Sequence, residues 1–418
     1  MASKWKAFAS IFAEPQKNGL TRAKATRGAG LPMVNMGELF SFQRLLPMKM
    51  DRVTVNQKES SFILEKGDLL FARQSLVFTG AGKCSIFLGN YEPTVFESHI
   101  IRCRLDLTQA DPLFYFYFFQ SPNGRNAISA IVEQGAGAAG VRGSDLARMN
   151  VPVPCLKDQT SASSLLDILD RKIELLRASS DHLEAIARTI FKSWFIDFNP
   201  VRAKVEGREP EGMDSVTAAL FSAEFVESEF GEIPIGWQRK KLVEIADVSW
   251  GDTNATKSRY TVDGFVAYSA SGPDGLMPTY MFEQTGIVVS AIGANCGATW
   301  LASGKWSCIK NTLRLWATAS DMSTEFLFYA TSGGDLWPKR GSAQPFISQG
   351  DARNMKVLVP SNGLAIVFGA TVAPIHRKLE AAREQAKTLV GLRDTLLPRL
   401  ISGTLRVREA EKLVEAAL

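Results

Sequence analysis

Two stretches of this chain, residues 160–196 and 365–402, repeat apolar side chains at alternating spacings of three and four, and this period predicts two long helices. The first seam runs Leu166, Leu169, Ile173, Leu176, Leu183, Ala187, Ile190 and Trp194, with Ser180 as its polar break. The second runs Val372, Ile375, Leu379, Ala382, Ala386, Leu389, Leu396 and Leu400, with Arg393 as its break. A seam held to a strict heptad favours left-handed coiled-coil packing, and two such helices in one chain most simply pair with each other, antiparallel. The smaller residues of the second seam leave room for the larger ones of the first. At about 1.5 Å per residue, roughly 35 residues make a rod of about 50 Å.

Elsewhere the pattern is shorter and mixed. Ser61–Leu64, Asp68–Phe71 and Ser85–Leu88 are brief apolar runs grouped around Gly67, and residues 99–105 alternate in the manner of a half-buried strand. A helix is expected to begin near Asp111. The density of aromatics from Leu113 to Phe118 argues for a place in the core in preference to a base-stacking platform.

The chain repeats itself. Residues 135–195 lie on residues 341–401 at a constant offset, without a gap. A small-residue loop opens each copy, Gly135-Ala136-Gly137 and Gly341-Ser342-Ala343. Short strands ending in Pro154 and Pro360 follow, each preceded by an aspartate, Asp145 or Asp351, and then the long helix. Upstream the offset drifts: Gly286–Ser290 is set against Gly67–Phe71, Arg314 against Arg102, and Phe326, Phe328 and Tyr329 against Phe114, Phe116 and Tyr117. Residues 253–260 and 269–278 show no evident counterpart. A unit of about 200 residues is too long for a solenoid and indicates a duplicated domain plus helix. The expected organisation is a first module at 1–155, the first helix at 160–196, a connector at 197–230, a second module at 231–362, the second helix at 365–402 and a tail helix at 403–418. A shared core with individual loops is what lets one scaffold carry two binding preferences.

Composition narrows the class. The chain has 418 residues, 45% of them hydrophobic, which is ample for more than one core. No apolar run approaches the length of a membrane span, and the start carries Lys4 and Lys6 with no long apolar stretch behind them. Cys84, Cys103, Cys155, Cys296 and Cys308 are odd in number and form no CxxC pair, which fits a reducing cytoplasm. The net charge is only +5, but it is uneven: residues 1–150 hold 18 basic and 12 acidic side chains, and residues 151–240 hold 11 and 15. Within the basic module Lys17, Arg22, Lys24 and Arg27 cluster in a glycine-containing stretch poor in apolar residues, as a phosphate-facing loop would.

Catalytic signatures are missing on each count. Asn199-Pro200 is followed by Val201, not by the second proline of an adenine-methyltransferase motif. Gly80-Ala81-Gly82-Lys83 has Val77 where a P-loop needs its first glycine and Cys84 where it needs a hydroxyl. Pro273-Asp274 is not followed by Glu-x-Lys, as a two-carboxylate nuclease requires. Three histidines, His99, His182 and His376, leave little scope for a catalytic triad or a metal cluster. The pattern reads as a binder, not a catalyst.

The layout, together with four local stretches, resembles the specificity subunit of Type I restriction-modification enzymes. The stretches are residues 187–201, with Phe191-Lys192-Ser193-Trp194-Phe195; residues 231–237; Gly341–Ser348; and residues 392–403, with Leu396-Leu397-Pro398-Arg399. The first small-residue loop departs from its twin in lacking Gln344-Pro345-Phe346. The resemblance implies a mixed α/β fold in which two pseudo-twofold-related globular target-recognition domains are separated by two long antiparallel coiled-coil helices. It further implies that each domain reads half of a split double-stranded DNA target. Methyltransferase and restriction/motor subunits would join the helices, with S-adenosylmethionine, ATP and Mg²⁺ belonging to those partners and no cofactor to this chain. A rod of about 50 Å matches roughly 15 base pairs at 3.4 Å each. Arg22, Lys24, Arg27 and Arg142 in the first module and Lys257, Arg259, Lys339 and Arg340 in the second are the expected phosphate anchors, while divergent loops read base edges. Two other classes stay open at this point: the specificity module of a solitary methyltransferase or nuclease, and a non-catalytic coiled-coil scaffold that ignores DNA.

Overall fold

A computed structural model describes residues 4–229, 231–333 and 335–416. Residues 1–3 of the expected first module, Phe230 at the connector's end, Gly334 of the second module and residues 417–418 of the tail helix lie outside the described residues. The chain forms two compact units, Met1–Arg177 with Glu384–Leu418, and Ala178–Arg383.

In the first unit, strand Lys4–Ala7 pairs antiparallel with Asn150–Val153. A five-stranded sheet runs in the order Lys17–Asn18, Ile100–Cys103, Leu69–Ala72, Cys84–Phe87, Arg44–Leu45. Helix Pro112–Gln120 is capped by Asp111, whose side chain accepts from the Leu113 amide, and Phe114 through Phe119 are all buried. The aromatic run is therefore core. The stretch around residues 99–105 differs from its alternating pattern, because Ile100–Cys103 is a central strand with strands on both sides and is buried on both faces. Ser61–Leu64 is not a strand. Asn56 and Glu59 form a capping box that winds Gln57–Phe62 into a 3₁₀ turn instead.

The second unit builds the same body. Gln238–Lys241 pairs with Lys356–Val359, and a four-stranded sheet runs Ala246–Trp250, Thr312–Ala317, Gly286–Ser290, Thr299–Ala302. Pairing register corrects one sequence match. Arg102 lies opposite Leu70 and Arg314 opposite Val288, so Leu70 answers Val288 and Gly67 answers Thr285; the glycines Gly67 and Gly286 are one position out of step.

The stretches expected to lack counterparts have them. In the first unit Arg27–Val34 pairs antiparallel with Asp51–Val53 and parallel with Val95–Phe96. In the second, Phe265–Ser269 pairs antiparallel with Gly272–Met277 and parallel with Trp306–Cys308. Residues 269–278 thus answer Asp51–Val53. The likeness is hidden because the first unit inserts helix Met36–Ser41 and strand Arg44–Leu45 where the second turns through Ala270-Ser271. Residues 253–260 have a twin as well, in the 3₁₀ turn Lys24–Thr26 that matches Lys257–Arg259.

Two long helices, Leu156–Phe195 and Leu364–Ile401, complete both units. In the first unit Leu166, Leu169 and Ile173 share a core with Leu389, Leu396 and Leu400. In the second, Ala187, Phe191 and Trp194 share one with Leu364, Phe368 and Val372. Early residues of one helix meet late residues of the other in each case, so the pairing is antiparallel. Tail helix Val407–Glu415 buries Ala410 and Val414 against the first core.

Candidate nucleic-acid interface

Equivalent segments of the two units carry the basic residues. In the first, Leu20 bridges Glu97 and the chain then passes through Lys24–Thr26 into strand Arg27–Val34. Arg22 donates to both carboxylate oxygens of Glu59 at 2.7 Å and to the Thr54 carbonyl, and this donation holds the Glu59 carboxyl below its ordinary value. Arg27 donates to Asp51 and Asn35 at 2.9 Å. Both arginines fasten the loop to its sheet. Lys24 stands exposed at the turn between them. In the second unit Asp252 bridges Ile309, and Thr256 caps the turn Lys257–Arg259. Lys257 reaches Asp274 at 2.6 Å and Arg259 reaches Asp252 at 3.9 Å, with more than half of each basic side chain still exposed. Burial works against the Asp274 carboxylate, but Lys257, Ser269 and Tyr260 outweigh it and lower its pKa.

The remaining expected anchors flank a hairpin in each unit. In the first, Glu133–Gln134 pairs with Ala139–Gly140, which pairs in turn with Gln74–Ser75, and Arg142 beside it meets Glu133 at 2.7 Å. In the second, Arg340 and Phe346 exchange backbone hydrogen bonds of 2.8 and 2.9 Å, and Ile292 bridges Phe346. Phe346 is exposed where the first unit has Gly140. The loop lacking Gln-Pro-Phe therefore closes onto its sheet by the same backbone pairing as its twin. Arg340 meets Asp351 at 2.6 Å, which lowers the carboxyl and raises the guanidinium, and Lys339 lies 3.8 Å from Asp335.

The partner-helix seam divides between the units. Leu166, Leu169, Ile173, Leu389, Leu396 and Leu400 are buried and Leu176 is half-buried in the first; Trp194, Val372 and Leu379 are buried and Leu183, Ile190 and Ile375 half-buried in the second. The polar break Arg393 donates to Asp170 at 2.7 Å. Asp170 also accepts from Tyr117, and Arg44 meets Asp167 at 2.8 Å and Glu174 at 2.7 Å. Burial pulls the Arg44 guanidinium down, but Tyr117, Asp167 and Glu174 together raise it above its usual value. In the second unit Arg383 meets Glu184 at 2.9 Å, and Tyr329 meets His376 at 3.1 Å.

Sequence reading missed that Lys24 and Lys257 hold one station in a repeated fold. Paired glycines were the available signal. A Cβ on Gly19 would lie 2.1 Å from the Phe96 carbonyl oxygen and one on Gly251 2.6 Å from that of Ile309; on Gly30 and Gly264 it would lie 2.2 Å from the carbonyl oxygens of Val53 and Met277. Each pair brackets its basic turn. Among the described residues no group of three or more His, Cys, Asp or Glu could hold a metal ion, and no helix is long and apolar enough to cross a membrane.

Comparison with known proteins agrees with this architecture. Residues 19–185 match the Type I restriction modification DNA specificity domain. The chain is 22% identical over 434 residues to the Type I restriction enzyme HindI specificity subunit of Haemophilus influenzae, covering 88% of this chain and 93% of that protein. It is 22% identical over 324 residues to the MjaIX specificity subunit of Methanocaldococcus jannaschii, covering 71% and 69%. A crystal structure of the Type I restriction-modification system S subunit from M. genitalium shares the fold at a TM-score of 0.63, with 17% identity and 96% of each chain covered. Residues 19–185 thus carry a Type I restriction modification DNA specificity domain, and over most of its length the chain is similar to Type I specificity subunits.

Proposed function

We propose that this chain reads a bipartite double-stranded DNA target and carries no catalytic step of its own. One target-recognition domain, residues 1–155, reads one half-site, and the other, residues 231–362, reads the second. The observation that carries this reading is the duplication. Both units share a core of strands in matching order, the first adding Arg44–Leu45, and both place a basic 3₁₀ turn at the same station, yet their exposed loops differ. Two bodies of one design with different loops suit two different half-sites.

Lys24, Arg142, Lys257, Arg259, Lys339 and Arg340 meet phosphates, supported by Arg22 and Arg27, which hold the first basic loop in shape. The long helices, 160–196 and 365–402, carry methyltransferase and restriction/motor subunits, with connector 197–230 and tail 403–418 completing the chain. Those partners supply S-adenosylmethionine, ATP, Mg²⁺ and the chemistry, and the complex works in the cytoplasm. Co-expression with the methyltransferase subunits, followed by mapping of methylated adenines in host DNA, tests the proposal. A split motif is expected. DNA methylated or cut by the purified chain alone would refute it.

A further inference from the structure

Each unit opens a pocket beside the start of its central strand. The first, about 500 Å³, is lined by Met36, Phe40, Leu76, Val77, His99 and Ala138. The second, about 380 Å³, is lined by Thr256, Lys257, Ser258, Ser271, Lys310 and Asn311, among others. His99 and Asn311 hold the same position in the repeated fold. Each directly precedes the central strand, Ile100–Cys103 or Thr312–Ala317. Each lends its carbonyl to the amide that follows or closes the neighbouring strand, Arg73 at 2.8 Å or Ala291 at 3.0 Å. Both are exposed.

We propose that these two pockets are the base-reading sites of the two units, the first fitted to a thymine methyl and the second to an adenine edge; this rests on the DNA-reading function proposed above. In the first pocket Leu76 and Val77 are 87% and 61% exposed, an apolar pair left in water at a loop tip. The C5 methyl of thymine is the apolar group on the major-groove edge, and His99 beside it can hydrogen-bond the neighbouring base. Arg73 and Arg142 are exposed on the adjoining segments, placed to meet phosphates beside the apolar surface. In the second pocket no side chain answers the exposed Leu76 and Val77, and Ala270 and Ile309 lie among Thr256, Lys257, Ser258, Ser269, Ser271, Lys310 and Asn311. Asn311 has a φ of +68°, the left-handed region that asparagine tolerates better than most side chains. An asparagine amide pairs with adenine N6 and N7 at once, and Lys257 and Lys310 on the rim supply the phosphate contacts. One position in the fold thus carries two reading chemistries, as two unlike half-sites require.

The test uses the full chain with its methyltransferase subunits in a host without other adenine methylation, and reads methylated positions across the genome. Asn311→Ala is expected to relax one position of one half-site, raising methylation of mismatched sites roughly 10-fold or more. Leu76→Ser with Val77→Ser is expected to relax a thymine position in the other half-site and leave the first untouched. Unchanged motifs in both variants, beside an intact split motif for the wild type, overturn the pocket assignment alone. A wild-type complex with no split motif overturns the DNA-reading function and this inference with it. Should a variant stop methylating, its melting temperature and non-specific affinity for duplex DNA decide the matter. Wild-type values for both place the defect in reading, and a lowered melting temperature marks the residue as structural and overturns its assignment.

Discussion

Tyr117 donates a 2.8 Å hydrogen bond to Asp170 on the first long helix. The same tyrosine recurs as Tyr329, and the residue at the matching helical position is His376, 3.1 Å from its hydroxyl. The duplicated contact is kept while the tyrosine's partner changes from a carboxylate to an imidazole.

Burial lowers the His376 pKa from its ordinary value of 6.5; Glu184 raises it and Arg383 lowers it, and burial prevails. The folded state therefore holds the neutral ring more readily than the unfolded chain does. The resulting stability is present above the unfolded pKa and is lost as pH falls below about 6.5 towards the folded value. Proton NMR of the ring should give a midpoint below 6.5. The melting temperature of the second unit should fall on acidification through this window, and His376→Gln should flatten that slope.

Asp170 accepts from both Tyr117 and Arg393 and is only 6% exposed. Removing Arg393 leaves a buried carboxylate with only Arg44, 4.0 Å away, as its cation. We expect Arg393→Leu to cost the first unit about 3 kcal/mol in denaturant unfolding. Arg393→Leu with Asp170→Asn should recover much of that loss, since an amide still accepts from Tyr117 and carries no charge. A double variant as unstable as the single would show that packing of the arginine stem, not charge, governs the site.

The long helices and the 206-residue repeat were legible because the match runs without a gap: helix Gly143–Arg148 and strand Asn150–Val153 fall on Gln349–Asn354 and Lys356–Val359 residue for residue. Upstream, loops of different length shift the frame at nearly every strand, and apolar runs of four residues hold too little pattern to survive it. Gly67 was set against Gly286 for that reason. Backbone pairing restores the frame, since Arg102 and Arg314 each fix the residue across the ladder. The ion pairs that tie Arg22 and Arg27 to their sheet were beyond reach, because Glu59 and Asp51 are brought close only by folding.

Charge reversal separates phosphate anchoring from loop support. Lys257→Glu with Arg259→Glu removes two exposed cations at a turn whose backbone is capped by Thr256 without them. The slope of log affinity against log salt should become shallower by about 1 for each phosphate that is no longer neutralised. Arg22→Gln should behave in the opposite way, lowering the melting temperature by freeing Glu59 and the loop while barely moving the slope. An unchanged slope in the Lys257/Arg259 variant would remove this turn from the interface.

The equivalence of the two basic turns makes a further demand on stability. Gly30 and Gly264 have φ of +97° and +138°, and a Cβ on either would lie 2.2 Å from a carbonyl oxygen across the same antiparallel ladder. Backbone strain and steric overlap then act together, and Gly30→Ala and Gly264→Ala should each lower unfolding stability by about 3 kcal/mol. Gly28 isolates the strain. Its φ is +127°, yet a Cβ there meets nothing within 4 Å, so Gly28→Ala should cost only about 1 kcal/mol. If Gly30→Ala proved no worse than Gly28→Ala, the close approach would not be what requires glycine. If Gly30→Ala and Gly264→Ala differed widely, the two turns would not share one structural role.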